Sequence, residues 1–162
     1  MVSMKTIYLK CYRDILIGFK FLGGRMQDYT EAKRILNIHK DNIDKVVFTT
    51  NVAGTTFIEN SCEILRFLKE KVSKNNILLN LVREPENPYD ENAVRVEVSV
   101  KGAKKFVKIG YVPRDKAELL SYVLQDSSGY HVRVQDISLF GGEGSKPNIG
   151  VFFDYFICKD RA

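Results

Sequence analysis

The most constraining stretch of the chain is Leu81-Val82-Arg83-Glu84-Pro85-Glu86-Asn87-Pro88-Tyr89-Asp90-Glu91-Asn92-Ala93-Val94. A run alternating apolar and polar residues (Ile77, Leu79, Leu81) enters it, and a second (Val94, Val96, Val98, Val100) leaves it. Such alternation marks half-buried β-strands. Between the runs two prolines preset φ, and Pro88 drives Asn87 to extended backbone. Asp90 or Asn92 can close an Asx turn, because those side chains reach backbone two residues on. The stretch predicts a rigid, solvent-facing corner joining two strands and presenting Asn87, Tyr89, Asp90 and Asn92 together. Prolines and Asn or Asp suit any stiff turn. An exposed aromatic, a carboxylate and two carboxamides within six positions exceed that need, and binding residues concentrate on rigidly held loops.

A chain of 162 residues fits one domain, or one with an elaborated end, and can bury a real core. Its hydrophobic share of 44% and charged share of 28% are those of a soluble globular protein. No apolar run is long enough to span a bilayer, so no membrane partner is expected. Gly18 and Lys20 interrupt Ile15 to Leu22, so no secretory signal is expected either. Cys11, Cys62 and Cys158 are odd in number and far apart, which fits neither a zinc site nor a disulfide framework and points to a reducing cytoplasm. The net charge is +5, and residues 1–45 supply most of it, with nine Lys and Arg against five Asp and Glu. A polyanionic partner is compatible with this bias and not required by it.

In order, residues 5–12 and Ile15 to Leu22 read as two strands closed by Gly23-Gly24. Asp28 with Glu31 resembles a capping box opening a short helix to about Leu36. Val46 to Thr50 and Val52 to Phe57 are β-rich, with Gly54 marking a bulge or close approach. Asn60 with Glu63 opens a helix over about 61–72, whose apolar face is Ile64, Leu65, Phe67, Leu68 and Val72. Beyond the corner, Lys101-Gly102 signals a hairpin from the Val94–Val100 strand to Phe106–Val112. Pro113 and Asp115 suit the first turn of a helix over about 114–126. Two strands follow, Tyr130 to Phe140 and Ile149 to Cys158, around the loop Gly141-Gly142-Glu143-Gly144-Ser145. Short strands with inserted helices predict a mainly β (α+β) fold: an OB-like small β-barrel with two main flanking helices. The expected division is an N-terminal strand and helix extension over 1–45, packed on a barrel domain over 46–162.

Several chemistries are disfavoured. The glycine-rich 141–146 stretch lacks the strand–GxxxxGK[ST]–helix context of a phosphate loop, since a strand rather than a helix follows it, and reads as a flexible hairpin loop. His39 and His131 show no metal or triad spacing. Glu84, Glu86, Asp90 and Glu91 could hold a divalent metal for phosphodiester hydrolysis, although carboxylates on a solvated turn are common. Nucleic-acid binding needs a positive track and aromatic faces. Arg83, Arg114, Lys116, Lys101, Lys104, Lys105 and Lys108 are candidates for the first, and Phe57, Tyr89, Tyr111 and Phe140 for the second.

Read together, "NVAGTTF", "LVREPENPYDENAVRVEV" and "KIGYVPRDKAELLSYVL" resemble the HIRAN domain over roughly residues 46–158. That module occurs alone in bacteria and phages and at the N-termini of SNF2-type DNA translocases. The resemblance implies an OB-like barrel that grips single-stranded DNA, in better-known members at a free 3′ end. By motif position it implies that Tyr89 and Asp90 hold the terminal nucleotide, with Asn87 beside them. Phe57 stands where the family has an aromatic that sandwiches the base. Arg114 matches a basic phosphate-contacting position, and Phe140 a second stacking residue. Thr56 falls where some eukaryotic members carry a cation, a departure that bears on that phosphate contact. Chemically, a carboxylate among phosphates is repulsive unless it accepts a hydrogen bond, and a free 3′-OH offers one to Asp90. The leading expectation is a non-enzymatic module without cofactor, whose partners are single-stranded DNA or a DNA 3′ end and a DNA-processing enzyme. A protein-interaction adaptor and a metal-dependent nuclease or phosphodiesterase are the alternatives.

Overall fold

The two alternating runs fold as antiparallel partners, and the rest of the chain is built out from them. In the computed structural model, which describes residues 27–161, the elements are α1 (Thr30–Ile38), β1 (Phe48–Asn51), α2 (Ser61–Lys71), β2 (Ile77–Arg83), β3 (Val94–Val100), β4 (Val107–Tyr111), α3 (Arg114–Val123), β5 (Tyr130–Glu143) and β6 (Lys146–Lys159). The strands expected over 5–12 and 15–22 lie outside the described residues. The fold is mainly β, with two antiparallel three-stranded sheets and three helices.

One sheet has the order β2-β3-β4 and the other β1-β6-β5. In β3 the alternation is literal: Val94, Val96 and Val98 are buried, while Arg95 and Glu97 face outward. Each such buried side chain contributes about 1.5–3 kcal/mol relative to exposure. The sheets meet where Ala53 and Tyr111 exchange both backbone hydrogen bonds, at 2.7 and 2.9 Å. Gly110 permits this seam. A Cβ there would sit 2.7 Å from Val52 Cγ1 and closer still to the Ala53 carbonyl. Closing a barrel would also require pairing of β2 with β5, and none occurs among the described residues.

β3 and β4 pair Val96 with Gly110 and then Glu97 with Lys108, leaving Ile109 as the extra residue of a bulge. The bulge turns buried Ile109 inward and puts Lys108 and Tyr111 on one face. Their odd spacing would separate them in a regular strand.

The helices fall where their apolar spacing predicts, but their ends are made differently. Neither expected capping box forms, since the residues preceding α1 and α2 make no side-chain cap bond. Glu118 of α3 caps α1 instead, accepting from the N–H groups of Glu31 and Ala32 at 3.0 and 3.1 Å. Asn60 takes a left-handed conformation with φ 61° instead of the extended one usual for a capping residue, and the Ser61 hydroxyl donates to the Thr55 carbonyl. The expected strand over Val52 to Phe57 is replaced by a 3-10 turn, Thr55–Phe57, because Gly54 is left-handed at φ 76°. The glycine-rich stretch is largely strand, with only Gly144 and Ser145 outside β5 and β6. Ala32, Leu36 and Ile43 share one core with Leu65, Leu68, Leu120 and the inward β6 residues Val151, Phe153, Tyr155 and Ile157. Among the described residues, no helix is long and apolar enough to cross a membrane.

Candidate nucleic-acid interface

The corner after β2 is closed by its own side chains. Asp90 Oδ1 accepts from the Asn92 N–H at 2.9 Å, forming the Asx turn its position predicts. Asn87 works in two directions: Oδ1 accepts from the Tyr89 N–H at 3.0 Å, and Nδ2 donates to Glu84 Oε2 at 3.1 Å. The Asn87 N–H bonds the Glu84 carbonyl, and the Ala93 N–H bonds the Asp90 carbonyl, each at 3.0 Å. This local bonding fixes the turn while Tyr89 stays 85% exposed. A large ring held this far into solvent by a rigid turn is unlike a core aromatic and suits stacking.

Arg114, the first residue of α3, reaches back over the corner. It donates from Nη2 to the Tyr89 carbonyl at 2.7 Å, and its Nε lies 3.6 Å from Asp90 Oδ2. Its side chain is mostly exposed. The pair is therefore worth little as stability, but it places a cation beside an acceptor at the rim of one groove.

Beneath the corner sits Glu84, whose importance the sequence did not reveal. Its carboxylate accepts from Asn87 Nδ2, from the Tyr111 hydroxyl at 2.8 Å and from Arg95 Nη1 at 2.9 Å. Burial by itself raises its pKa. Those three hydrogen bonds and the nearby Lys108 charge outweigh burial and hold it below the ordinary carboxylate value. Lys108 donates to the same Tyr111 hydroxyl and lies 4.3 Å from the ring centroid. Arg95 also pairs with Glu97 at 2.8 Å. The hub is thus a chain from β3 and β4 through Glu84 and Asn87 to the Tyr89 backbone.

A groove of about 970 Å³ runs along the corner. Ala53, Ile58, Pro85, Pro88 and Val112 supply its apolar wall, and Tyr89, Asp90, Tyr111, Arg83, Lys108 and Arg114 its polar one. Of the expected cations, Arg83, Lys108 and Arg114 line it. Arg83 is also tied to Ser121 and Tyr29, at 3.2 and 3.1 Å. Lys116 Nζ bonds the Thr49 carbonyl at 3.0 Å. Lys101, Lys104 and Lys105 stand at the opposite end of β3, about 20 Å from the corner by strand length.

Thr56 and Phe57 are exposed on the 3-10 turn immediately before the groove residue Ile58, with Phe57 90% exposed. Phe140 is not brought to the groove wall. It stands on β5, stacked on Phe152 with centroids 5.1 Å apart. Another contact without a sequence signal is Gln27, whose Nε2 donates to Asn92 Oδ1 at 2.7 Å and ties the segment before α1 to the corner. Of the acidic residues considered for metal, Glu84 is occupied by its three donors. No trio of His, Cys, Asp or Glu among the described residues is placed to hold an ion. His39 packs edge-on against Phe48, and His131 pairs with Asp160 at 2.9 Å.

No curated protein and no solved structure matches the chain. A family model, the HIRAN domain, matches residues 45–142, which include the whole corner, the Ala53–Tyr111 seam and Arg114. With more than half its length matched, the chain belongs to the HIRAN domain family, a family of nucleic-acid-binding modules.

Proposed function

We propose that this protein binds single-stranded DNA and reads a free 3′ end at the Tyr89–Asp90 corner, without catalysing a reaction on it. The observation that carries this reading is Arg114 beside Asp90, 3.6 Å apart at the rim of a groove, next to the exposed ring of Tyr89. The three groups divide the work. Tyr89 offers a face to the terminal base, with Phe57 as the second face. Arg114 neutralises the adjoining phosphate, a contact that carries no base information. Asp90 accepts a hydrogen bond from the terminal 3′-hydroxyl and repels a phosphate in the same place.

Asn87 supports the pair through its bond to the Tyr89 N–H, and Phe140 serves a base further inward. Thr56 lends no charge, so Arg114 is the principal phosphate contact at the end. Two sheets joined at one seam support an OB-like reading of the fold, open between β2 and β5. Of the segment before the barrel, residues 27–45 then extend the HIRAN domain rather than forming a second one, because Ala32, Leu36 and Ile43 enter the common core. A binding module of this kind serves a DNA-processing enzyme that acts at strand ends.

Fluorescence anisotropy with matched oligonucleotides ending in 3′-OH or 3′-phosphate tests the reading. The hydroxyl-ended strand should bind more tightly. Equal binding would remove the end-reading role, and absence of binding to either would favour a protein-interaction adaptor.

A further inference from the structure

The strand register joins the two sheets into one continuous outer face, and the corner occupies only one end of it. Cross-strand partners share a face. Tyr111 pairs with Ala53 across the seam, Asn51 pairs with Phe152, and Ser138 pairs with Phe152 from the other side. Buried Thr50, Val52, Val151 and Phe153 take the alternate positions, which identifies the outward side. The face therefore runs from Tyr111 over Ala53 and Asn51 to Phe152 and on to Phe140.

Two aromatic rings stand exposed at its far end. Phe152 is 41% and Phe140 45% exposed, and they stack at 5.1 Å with their planes 27° apart. Phe140 has a structural reason to be there, since its ring covers Gly150. Phe152 has no such reason: it lies on the central strand of its sheet, turned to solvent, outside the residues the family model matches. We infer that Phe152, stacked with Phe140, is a second base platform of this protein, taking a base of the same single strand whose end lies at the corner.

This rests on the proposed end-binding reading and deepens it. From Tyr111 to Phe152 the face crosses two inter-strand spacings and, at right angles to them, the two-residue step from Ala53 to Asn51, a straight-line separation of about 12 Å. A terminal nucleotide at Tyr89 cannot also cover Phe152, so the platform engages a base further inward. Lys108 at the seam and Lys116 beside Thr49 flank this path with positive charge. Asp154, the next outward residue of β6, is held by the Thr49 hydroxyl at 2.6 Å and marks where a phosphate chain must turn away. A nucleic-acid strand fits the face better than a protein surface does, because the rings continue the path of the groove.

The chain contains no tryptophan, so Phe152→Trp introduces a single fluorophore at the platform. The 162-residue chain with this substitution is titrated with two- and six-nucleotide oligothymidylates carrying a 3′-hydroxyl, with binding followed separately by anisotropy. The six-nucleotide strand should quench the tryptophan, and the two-nucleotide strand should bind without quenching it. In parallel, Phe152→Leu should weaken the longer strand about 5- to 150-fold and leave the shorter unchanged. If the longer strand binds without quenching, the platform is wrong and the corner reading stands. The platform is equally wrong if the emission is already that of a buried ring and does not respond, which would mean that another part of the chain or a second copy covers the face. If neither strand binds wild-type protein, both the corner reading and the platform fall.

Discussion

The hydroxyl of Tyr111 donates to Glu84 Oε2 at 2.8 Å, which ties β4 to the corner preceding β3. Through this bond the exposed, locally closed turn acquires a connection to the sheet. Glu84 then passes it on to Asn87, and Asn87 to the Tyr89 backbone.

Glu84→Gln should destabilise the protein at neutral pH by about 1.5–3 kcal/mol, the worth of hydrogen bonds to a charged group. Glu84 is held below its ordinary pKa when folded. Its contribution is therefore complete above the unfolded value, about 4.3, and is lost as pH falls through the lower folded value. Urea denaturation from pH 7 to pH 3 should show a constant gap between wild type and variant near neutrality, closing in the acid range. A gap independent of pH would refute the hub.

Arg114→Ala should weaken single-stranded DNA for all sequences alike and lower the salt slope by about one unit, as loss of one phosphate contact requires. Its bonds to Tyr89 and Asp90 are exposed, so the melting temperature should hardly move. Titrations at several salt concentrations measure both quantities. A changed base preference with an unchanged slope would remove the phosphate assignment.

Asp90→Asn should reduce the preference for a 3′-hydroxyl more than it reduces affinity for an internal single strand. The amide keeps an oxygen for the Asn92 N–H, so the Asx turn survives while the charge is lost. The variant should also bind a 3′-phosphate strand relatively better. Tyr89→Ala is the control, expected to cost about 1–3 kcal/mol for any base and any end. Equal losses for both variants on both ends would contradict distinct roles.

Gly110→Ala should destabilise the fold by about 1–3 kcal/mol through overpacking at the seam. The new methyl would press on Val52 Cγ1 and the Ala53 carbonyl. Amide exchange at Ala53 and Tyr111 should accelerate more than exchange within β2 and β3. Uniform acceleration would place the strain elsewhere.

Features of this protein with local causes are legible in its residues alone. Alternation at Val94, Val96 and Val98 specified β3, because a period of two puts every second side chain on one face. The apolar spacing of Leu65 with Leu68, and of Ala117 with Leu120 and Val123, specified α2 and α3. Asp90 closed its turn within two residues, so the corner too was legible. Features that depend on a distant partner are not. Glu118 caps a helix 86 residues earlier in the chain, where the local residues alone predict a capping box. The bulge at Ile109 brings Lys108 and Tyr111 to one face, and no alternation pattern announces a bulge. Glu84 reads as an ordinary turn carboxylate until β3 and β4 deliver Arg95 and Tyr111 to it. A hydrogen bond acts over about 3 Å, and which groups come that close across tens of residues is set by sheet register rather than by neighbours in the chain.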